Sequence, residues 1–215
     1  MSPLNARGIC PNERFQDQPT MRNHCSAILV GPRQLLMPGN CITEHYCKND
    51  LFYWMFNYQL DGATELDVMR PRAHFAKCKK LLKRVFDPSS AQSFALIELE
   101  SDVVGVTPAK ISKQSQIDIN DELVAIGHPE GLPLKIAKDA YVSDQNESHF
   151  LVSSDIAGSA LGTGIFNTRT YELEGMLISG RRNYENSESG CKRAPVFPFS
   201  ETKELAIKIN GLKTR

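Results

Sequence analysis

Five histidines and one segment rich in glycine and serine are the parts of this chain that could transfer protons or attack a carbonyl. The histidines stand at positions 24, 45, 74, 128 and 149, and the segment Gly158-Ser-Ala-Leu-Gly162 carries the hydroxyl of Ser159. No two histidines have the i, i+4 spacing of a helical zinc site, no acidic run matches a calcium loop, and the glycines match no phosphate-binding pattern. We therefore expect no metal and no cofactor.

Six cysteines, among which there is no C-x-x-C pair, indicate disulfides rather than a zinc ribbon or a thioredoxin-like redox site. Persistent disulfides require an oxidising compartment, yet residues 1–20 show no basic head followed by an apolar segment. Two interpretations stay open: an extracellular or periplasmic protein whose signal sequence has been removed, or a cytosolic protein with free thiols. We favour the exported protein, because the cysteine placement matches the disulfide framework given below.

Charge and composition exclude several classes of protein. Lys plus Arg and Asp plus Glu each number 25 in 215 residues, so no net charge gathers nucleic acid or anionic lipid in bulk. Hydrophobic residues at 41% and charged residues at 23% are typical of a folded globule. Apolar stretches such as residues 27–30 are far shorter than the ~20 residues that cross a bilayer. We expect neither a nucleic-acid partner nor a membrane span.

Short β-type runs bounded by turn residues predict a mostly β protein. They lie at residues 25–30, 51–58, 94–99, 122–126, 141–142, 150–152, 164–166 and 173–178. Ser200 as an N-cap and Gly211 as a stop predict a helix over residues 201–209. The basic stretch 78–85 is predicted as a short helix or an edge strand, and its ordinary interpretation is a solvated face.

Three separated segments resemble, in order, the landmarks of trypsin-like serine proteases. Cys25-Ser-Ala-Ile-Leu-Val30 and Leu35-Leu-Met-Pro-Gly-Asn-Cys41 are similar to a cysteine-led strand followed by a strand ending in Ala/Gly-His-Cys. Ser93-Phe-Ala-Leu-Ile-Glu-Leu99 is similar to the family's Asp-x-Ala-Leu-x-x-Leu strand. Asp155-Ile-Ala-Gly-Ser-Ala-Leu-Gly-Thr-Gly-Ile-Phe-Asn167 is similar to its Asp-x-x-x-Gly-Asn-Ser-Gly-Ser-Pro-Val-Phe-Asn loop. The resemblance looks closest to bacterial peptidases of the glutamyl-endopeptidase type.

The resemblance implies an all-β fold of two six-stranded antiparallel barrels followed by the C-terminal helix. The first barrel with an N-terminal arm would occupy residues 1–105, the second residues 106–199, and the helix and tail residues 200–215. It also implies a disulfide between Cys25 and Cys41. Cys47 with Cys78 in the first barrel and Cys10 with Cys191 would complete the framework, and free buried thiols are the alternative for these four.

The family's three catalytic positions are occupied here by Asn40, Ser93 and Leu161, in place of histidine, aspartate and serine. Leucine has no nucleophilic atom, asparagine accepts no proton near neutral pH, and serine offers no negative charge. The loop Ser159-Ala160-Leu161 also replaces the glycine of the oxyanion hole by Ser159, and shifting the register puts an inert Ala160 at the nucleophile position. We expect a catalytically inactive homologue, a pseudoprotease.

Such a scaffold can still bind a protein or peptide through the vestigial substrate cleft or another surface, since an extended segment can pair with an exposed strand edge. The resemblance implies a specificity pocket lined by Asp155, Ser179 and Gly180, where Asp155 attracts a basic side chain or pairs with Arg181 or Arg182. Two alternatives stay open: a hydrolase that uses relocated residues such as Ser159 and His45, or a structural module of an envelope or secreted assembly. His128, in Gly-His-Pro, is expected to bond to backbone.

Overall fold

Alternation of inward and outward side chains in the second half of the chain produces a closed antiparallel barrel. The computed structural model describes residues 2–21, 25–49, 51, 53–60, 74–113, 117–154, 160–180, 184–195, 197–198, 201–210 and 212. Around the barrel the strand order is β10-β15-β12-β11-β8-β9. The strands are β8 (Glu122–Gly127), β9 (Lys135–Gln145), β10 (His149–Ser153), β11 (Gly164–Asn167), β12 (Leu173–Ser179) and β15 (Glu204–Lys208). Phe150, Val152 and Ile165 are among the side chains that fill its interior.

The first half of the chain forms a five-stranded antiparallel sheet in the order β3-β4-β7-β6-β5. Its strands are β3 (Ile28–Gly31), β4 (Gln34–Met37), β5 (Tyr53–Phe56), β6 (His74–Asp87) and β7 (Gln92–Leu99). A short helix α1 (Glu44–Lys48) is capped by Thr43, whose Oγ1 accepts the Tyr46 N–H. Over the described residues the sheet is a half-barrel, so the expectation of a sixth strand is not met there.

A continuous apolar layer joins the half-barrel to the closed barrel. Ile28, Leu36 and Phe94 from the sheet pack in one cluster with Met176 and Ile207 from the barrel. The buried His149 also links the two, because its Nε2 donates a 2.9 Å hydrogen bond to the Ala91 carbonyl oxygen. The two units are therefore held in a fixed relation, with a seam between them.

The N-terminal arm is bound to the second barrel. It contains β1 (Ser2–Pro3), a 3₁₀ helix (Leu4–Arg7) and β2 (Pro19–Thr20), and the paired strands β13 (Glu185–Asn186) and β14 (Lys192–Arg193) lie nearby. Leu4 packs with Leu132, and the Arg7 guanidinium lies 3.1 Å from the Glu130 carboxylate. A further 3₁₀ turn (Pro129–Gly131) ends beside this contact.

The prediction of a C-terminal helix over residues 201–209 is wrong. Residues 204–208 form strand β15, which pairs with β10 and β12 and closes the second barrel. Glu, Leu, Ala and Lys are good helix formers, but intrinsic propensity is only a weak preference, and two ladders of backbone hydrogen bonds outweigh it here. The basic stretch 78–85 is extended and lies within β6, where it pairs with β7. Of the two predicted alternatives, helix and strand, the strand is therefore the one that forms.

All three disulfides form as the resemblance implied. The bonds join Cys25 to Cys41, Cys47 to Cys78 and Cys10 to Cys191. Each also has a clear structural place: the first closes the loop after β4, the second ties α1 to β6, and the third ties the arm to β14. In the part of the chain that the structure describes, no helix is long and apolar enough to cross a membrane.

Candidate functional site

The loop that follows β4, residues 38–42, is fixed from three sides. Gly39 lies so close to β6 that a Cβ there would overlap the carbonyl oxygen of Val85, which is why only glycine fits. The Nε of Arg84 donates to the carbonyl oxygens of Gly39 at 2.7 Å and Ile42 at 2.8 Å. The Cys25–Cys41 disulfide closes the third side. Asn40 is therefore presented on a rigid loop, with its side chain exposed.

Asn40 and Ser93 are in direct contact. The buried Ser93 Oγ accepts the Gly39 N–H at 3.1 Å and donates to Asn40 Oδ1 at 3.2 Å. Because Asn40 Oδ1 is the acceptor, the amide nitrogen of the same side chain keeps its two N–H donors for other partners. The pair is electrically neutral in every accessible protonation state.

The turn that carries Leu161 packs against the first half of the molecule at the same loop. Its carbonyl oxygen accepts the Ser26 N–H at 2.7 Å, and Leu161 itself is half-buried. Gly162 has a φ of +86°, which favours glycine. A Cβ at this position would overlap the Ser26 carbonyl oxygen and lie 3.0 Å from Pro38 Cδ, so the turn is closely packed against the first half of the molecule. Leu161 therefore lies in a turn that contacts the Asn40 loop at Pro38. Ala160 lies fully inside the second barrel, which places the shifted register in the core.

His128 is held between barrel and loop by backbone contacts, as its sequence context predicts. Its Nδ1 donates to the Leu132 carbonyl oxygen at 3.1 Å, and its ring stacks on Tyr58 with centroids 5.8 Å apart. Its backbone N–H donates to Ser26 Oγ at 2.9 Å. Burial lowers the pKa of the imidazole below its usual value, so the ring is neutral at pH 7.

His45, the candidate for a displaced base, lies on the exposed helix α1. Its Nδ1 is 3.1 Å from Asn49 Nδ2, and its carbonyl oxygen accepts a second bond from the same amide at 2.8 Å. Ser179 and Gly180 are exposed at the end of β12. Ser159 and Asp155 lie outside the described residues, as do Arg181 and Arg182.

Burial displaces the pKa values of charged groups in the second barrel, among them Lys135 and Glu174. Burial lowers the pKa of Lys135 to about 8, and its Nζ donates to Gln18 Oε1 at 2.7 Å and to the Pro133 carbonyl oxygen at 2.9 Å. Burial likewise raises the pKa of the Glu174 carboxyl. Among the described residues, no group of three or more His, Cys, Asp or Glu side chains is close enough to hold a metal ion.

Comparison with known proteins adds one decisive finding. No family model and no curated protein matches the chain, whereas 566 chains of solved structures do. One is neuropsin, a serine protease expressed in the limbic system of mouse brain, with a TM-score of 0.60 and 12% identity, covering 86% of this chain and 84% of that chain. This chain has the trypsin-like serine protease fold. At such low identity the likeness shows the fold alone.

Within the trypsin-like fold, sequence reasoning missed three residues around the candidate site. Ser26 joins the Leu161 turn to His128 through its backbone and its hydroxyl. Arg84 holds the Asn40 loop. Phe86 lies directly opposite Ser93 in the β6–β7 ladder and is 47% exposed. Arg84 lies in the basic stretch 78–85, and Phe86 follows it directly. The ordinary interpretation of that stretch is a solvated face, and nothing in the sequence alone distinguishes these two residues from their neighbours.

Proposed function

We propose that the protein is a catalytically inactive serine protease homologue that binds a protein or peptide partner through its vestigial substrate cleft. The observation that carries the proposal is the hydrogen bond between Ser93 Oγ and Asn40 Oδ1. It supports the alignment of these two residues with the aspartate and histidine positions of the family. The proposal includes a degenerate relationship to the trypsin-like enzymes, closest to bacterial peptidases of the glutamyl-endopeptidase type.

The direction of that hydrogen bond argues against proton transfer. In a working triad the base donates its ring N–H to a carboxylate, and its other nitrogen takes the proton of the nucleophile. Here Ser93 donates and Asn40 accepts, and an amide nitrogen has no lone pair available for a proton at neutral pH. Leu161 offers no nucleophile in the third position. None of the three groups can carry out its share of acyl transfer.

The alternative of a hydrolase with relocated residues draws little support from His45. The Nδ1 atom of the His45 ring lies 3.1 Å from Nδ2 of Asn49, the residue that caps the same helix. A base must lie within hydrogen-bond reach of the proton it removes, and the disulfide from Cys47 of α1 to Cys78 of β6 holds this helix on the first sheet.

The exposed groups around Asn40 suit binding rather than catalysis. The Asn40 amide presents two N–H donors, and Phe86 offers an exposed ring opposite Ser93 in the β6–β7 ladder. An extended peptide could donate its carbonyl oxygens to the amide and pack an apolar side chain on Phe86. Three disulfides favour an oxidising compartment, which supports the proposal that the protein is extracellular or periplasmic.

Activity-based labelling tests inactivity directly. The unaltered protein should show no turnover of a broad peptide library and no covalent labelling by a fluorophosphonate probe. The variant Asn40→His with Ser93→Asp and Leu161→Ser should gain weak labelling at residue 161, because it restores nucleophile, base and orienting carboxylate. Labelling of Ser159 in the unaltered protein would contradict the proposal.

Peptides selected from a display library test binding at the cleft. Phe86→Ala should weaken a selected peptide about tenfold, because it removes a buried aromatic contact. The matched control is Tyr171→Ala, which removes an aromatic that is 79% exposed in the turn between β11 and β12. Equal losses in both variants would place the binding surface away from the cleft.

A further inference from the structure

The guanidinium of Arg84 is fixed beside the exposed side chain of Asn40. Its Nε donates to the carbonyl oxygens of Gly39 at 2.7 Å and Ile42 at 2.8 Å, which lie on either side of Asn40 in the chain. Arginine carries five N–H donors, and both of these bonds use the single N–H on Nε. The four N–H groups on the two Nη atoms are therefore left for other acceptors, at an exposed residue near the end of β6.

Among the described residues, no carboxylate forms an ion pair with Arg84, in contrast to several other arginines. Arg7, Arg33 and Arg169 each have a Glu or Asp oxygen within 3.5 Å. Asp87, farther along β6, accepts two serine hydroxyls of the following turn at 2.6 Å each, so its carboxylate is engaged locally. Arg84 therefore presents a positive charge on the surface without an anionic partner from the described part of the chain.

Phe86 supplies an apolar surface next to this charge. The Arg84 Cζ atom lies 5.8 Å from the centroid of the Phe86 ring, which is within range of a cation–π contact. The ring is 47% exposed and lies opposite Ser93, the residue that bonds to Asn40. The side chains of Asn40, Arg84 and Phe86 are thus linked on one exposed surface, which we call the Arg84 site.

The polar groups that the Arg84 site offers are donors. Asn40 Oδ1 already accepts the Ser93 hydroxyl at 3.2 Å, so the amide contributes chiefly its N–H groups. A carboxylate has the complementary lone pairs, and it accepts two parallel N–H bonds from one guanidinium. A phosphate group is typically bound by a cluster of arginines. The neighbouring cation Lys83 instead lies over the Phe94 ring, with its Nζ 5.4 Å from the centroid. The site therefore suits a carboxylate better than a phosphate.

We propose that Arg84 and Asn40 bind a carboxylate of the peptide that occupies the cleft, so that the partner of this protein is an acidic segment. The inference rests on the proposed function, because it assigns a class of ligand to the same cleft. The Arg84 site belongs to the first sheet, whereas the specificity pocket that the resemblance implies lies in the second half of the chain. The carboxylate comes either from an Asp or Glu side chain or from the C terminus of the partner, which share the same chemistry.

The probes are peptides that the full chain selects from a random display library. Each is synthesised as selected, with its Asp and Glu residues replaced by Asn and Gln, and with an amidated C terminus. Calorimetry at about 0.1 M salt should show that removing the bound carboxylate weakens binding about tenfold, because a hydrogen bond to a charged group is lost. The form that loses affinity identifies the source of the carboxylate. Raising the salt to about 1 M should weaken only the forms that keep it.

Arg84→Gln tests the protein side of the same contact. In this variant, exchanging the peptide carboxylate for an amide should change the affinity less than about twofold, against about tenfold in the unaltered protein. If Arg84 only held the Asn40 loop, the variant would weaken both peptide forms equally and leave the ratio at about tenfold. Arg193→Gln is the matched control, because Arg193 is an exposed arginine on the distant strand β14, and it should keep the tenfold ratio.

Asn40→Asp tests the neighbouring donor and keeps an acceptor for the Ser93 hydroxyl. The new negative charge should weaken the carboxylate form of the peptide about tenfold more than the amide form, because like charges repel. This variant carries the test by itself if Arg84→Gln does not fold, and equal losses for the two peptide forms would then be contrary to the inference.

The possible failures can be told apart. The inference is overturned if neither exchange weakens the peptides, or if the tenfold ratio persists in Arg84→Gln. If those peptides still lose affinity in Phe86→Ala, the cleft does bind peptides and only its preference for a carboxylate is wrong. Peptides that respond to neither Phe86→Ala nor Arg84→Gln, or a library that yields no binder, overturn the proposed function as well.

Discussion

Removing the hydroxyl of Ser93 should destabilise the protein more than removing the amide of Asn40, although the two side chains share one hydrogen bond. Ser93 is 7% exposed, and its Oγ is the acceptor of the Gly39 N–H. Ser93→Ala leaves that buried N–H without its acceptor, which costs about 1–3 kcal/mol of the free energy of unfolding. Asn40→Ala removes an exposed acceptor and leaves the Gly39 bond in place, so we expect a loss of about 0.5–1 kcal/mol.

The double variant separates these contributions. The coupling between Asn40 and Ser93 should be about 0.5–1 kcal/mol, which is the net worth of one neutral, partly exposed hydrogen bond. Most of the cost of Ser93→Ala should therefore remain when Asn40 is already alanine, because it comes from the Gly39 N–H. The cycle thus measures the two bonds of one hydroxyl independently.

Urea unfolding followed by fluorescence suits this cycle, since Trp54 is the chain's one tryptophan and packs on the core of the first sheet. The exposed Ser101→Ala is the control and should change the free energy of unfolding by less than about 0.5 kcal/mol. The reasoning is refuted if Ser93→Ala costs no more than Asn40→Ala. It is also refuted if the coupling is zero, since the two side chains would then not be bonded.

Three further outcomes can be measured. Replacing Cys25 and Cys41 by alanine should lower the free energy of unfolding by about 3 kcal/mol in urea, the loop-closure value for their separation of 16 residues; a loss under about 1 kcal/mol would contradict it. Gly39→Ala should lower the free energy of unfolding several times more than Gly105→Ala. The new Cβ at residue 39 would overlap the Val85 carbonyl oxygen, whereas at residue 105 it would meet no atom and only the positive φ of +76° is unfavourable. Equal losses would exclude the contact between residue 39 and Val85. Lys135 should titrate near pH 8 by NMR. Because its pKa is lower in the folded than in the unfolded state, its contribution to the free energy of unfolding should rise between about pH 8 and 10.5, and this rise should be absent in Lys135→Met. A titration midpoint above pH 10 would refute the burial of Lys135.

The strands and the disulfides were predictable because local pattern and global fold agree there. Residues 122–126 alternate buried and less buried side chains between turn residues, and they form β8. The cysteines could be paired only through the resemblance, since spacing alone leaves many pairings open. The order of the three landmark segments carried more information than any one of them.

The last strand shows where local pattern fails. Residues 204–208 contain good helix formers, yet they bury Ala206 in the barrel interior and Ile207 in the layer between the barrels. A strand that is buried on both faces lacks the alternating pattern that identifies a half-exposed strand, so its sequence does not predict its conformation. Only the strands β10 and β12, which are distant in sequence, decide its conformation.

The candidate site divides in the same way. Asn40 and Ser93 could be paired from sequence order, because the resemblance supplied the two positions. The groups that hold them could not: Arg84 is one of several basic residues in β6, and its bonds to two carbonyl oxygens of the Asn40 loop depend on how that loop folds over the strand. The sequence also gives no sign that residue 39 must be glycine, because this requirement arises from the close approach of the Val85 carbonyl oxygen in the folded protein.

Under the proposal of an inactive homologue, the neutrality of the Asn40–Ser93 pair would explain how the fold is kept without the catalytic groups. A histidine and an aspartate at these positions would be a charged pair whose separation leaves a buried carboxylate, so changing one alone is costly. Serine and asparagine bring no charge, and the Ser93 hydroxyl accepts the Gly39 N–H, so this buried donor is satisfied without a carboxylate. The loop, its disulfide and Arg84 then remain in the same arrangement with or without catalysis. The variant Asn40→His with Ser93→Asp and Leu161→Ser therefore changes three side chains, while the disulfide and Arg84 continue to hold the loop.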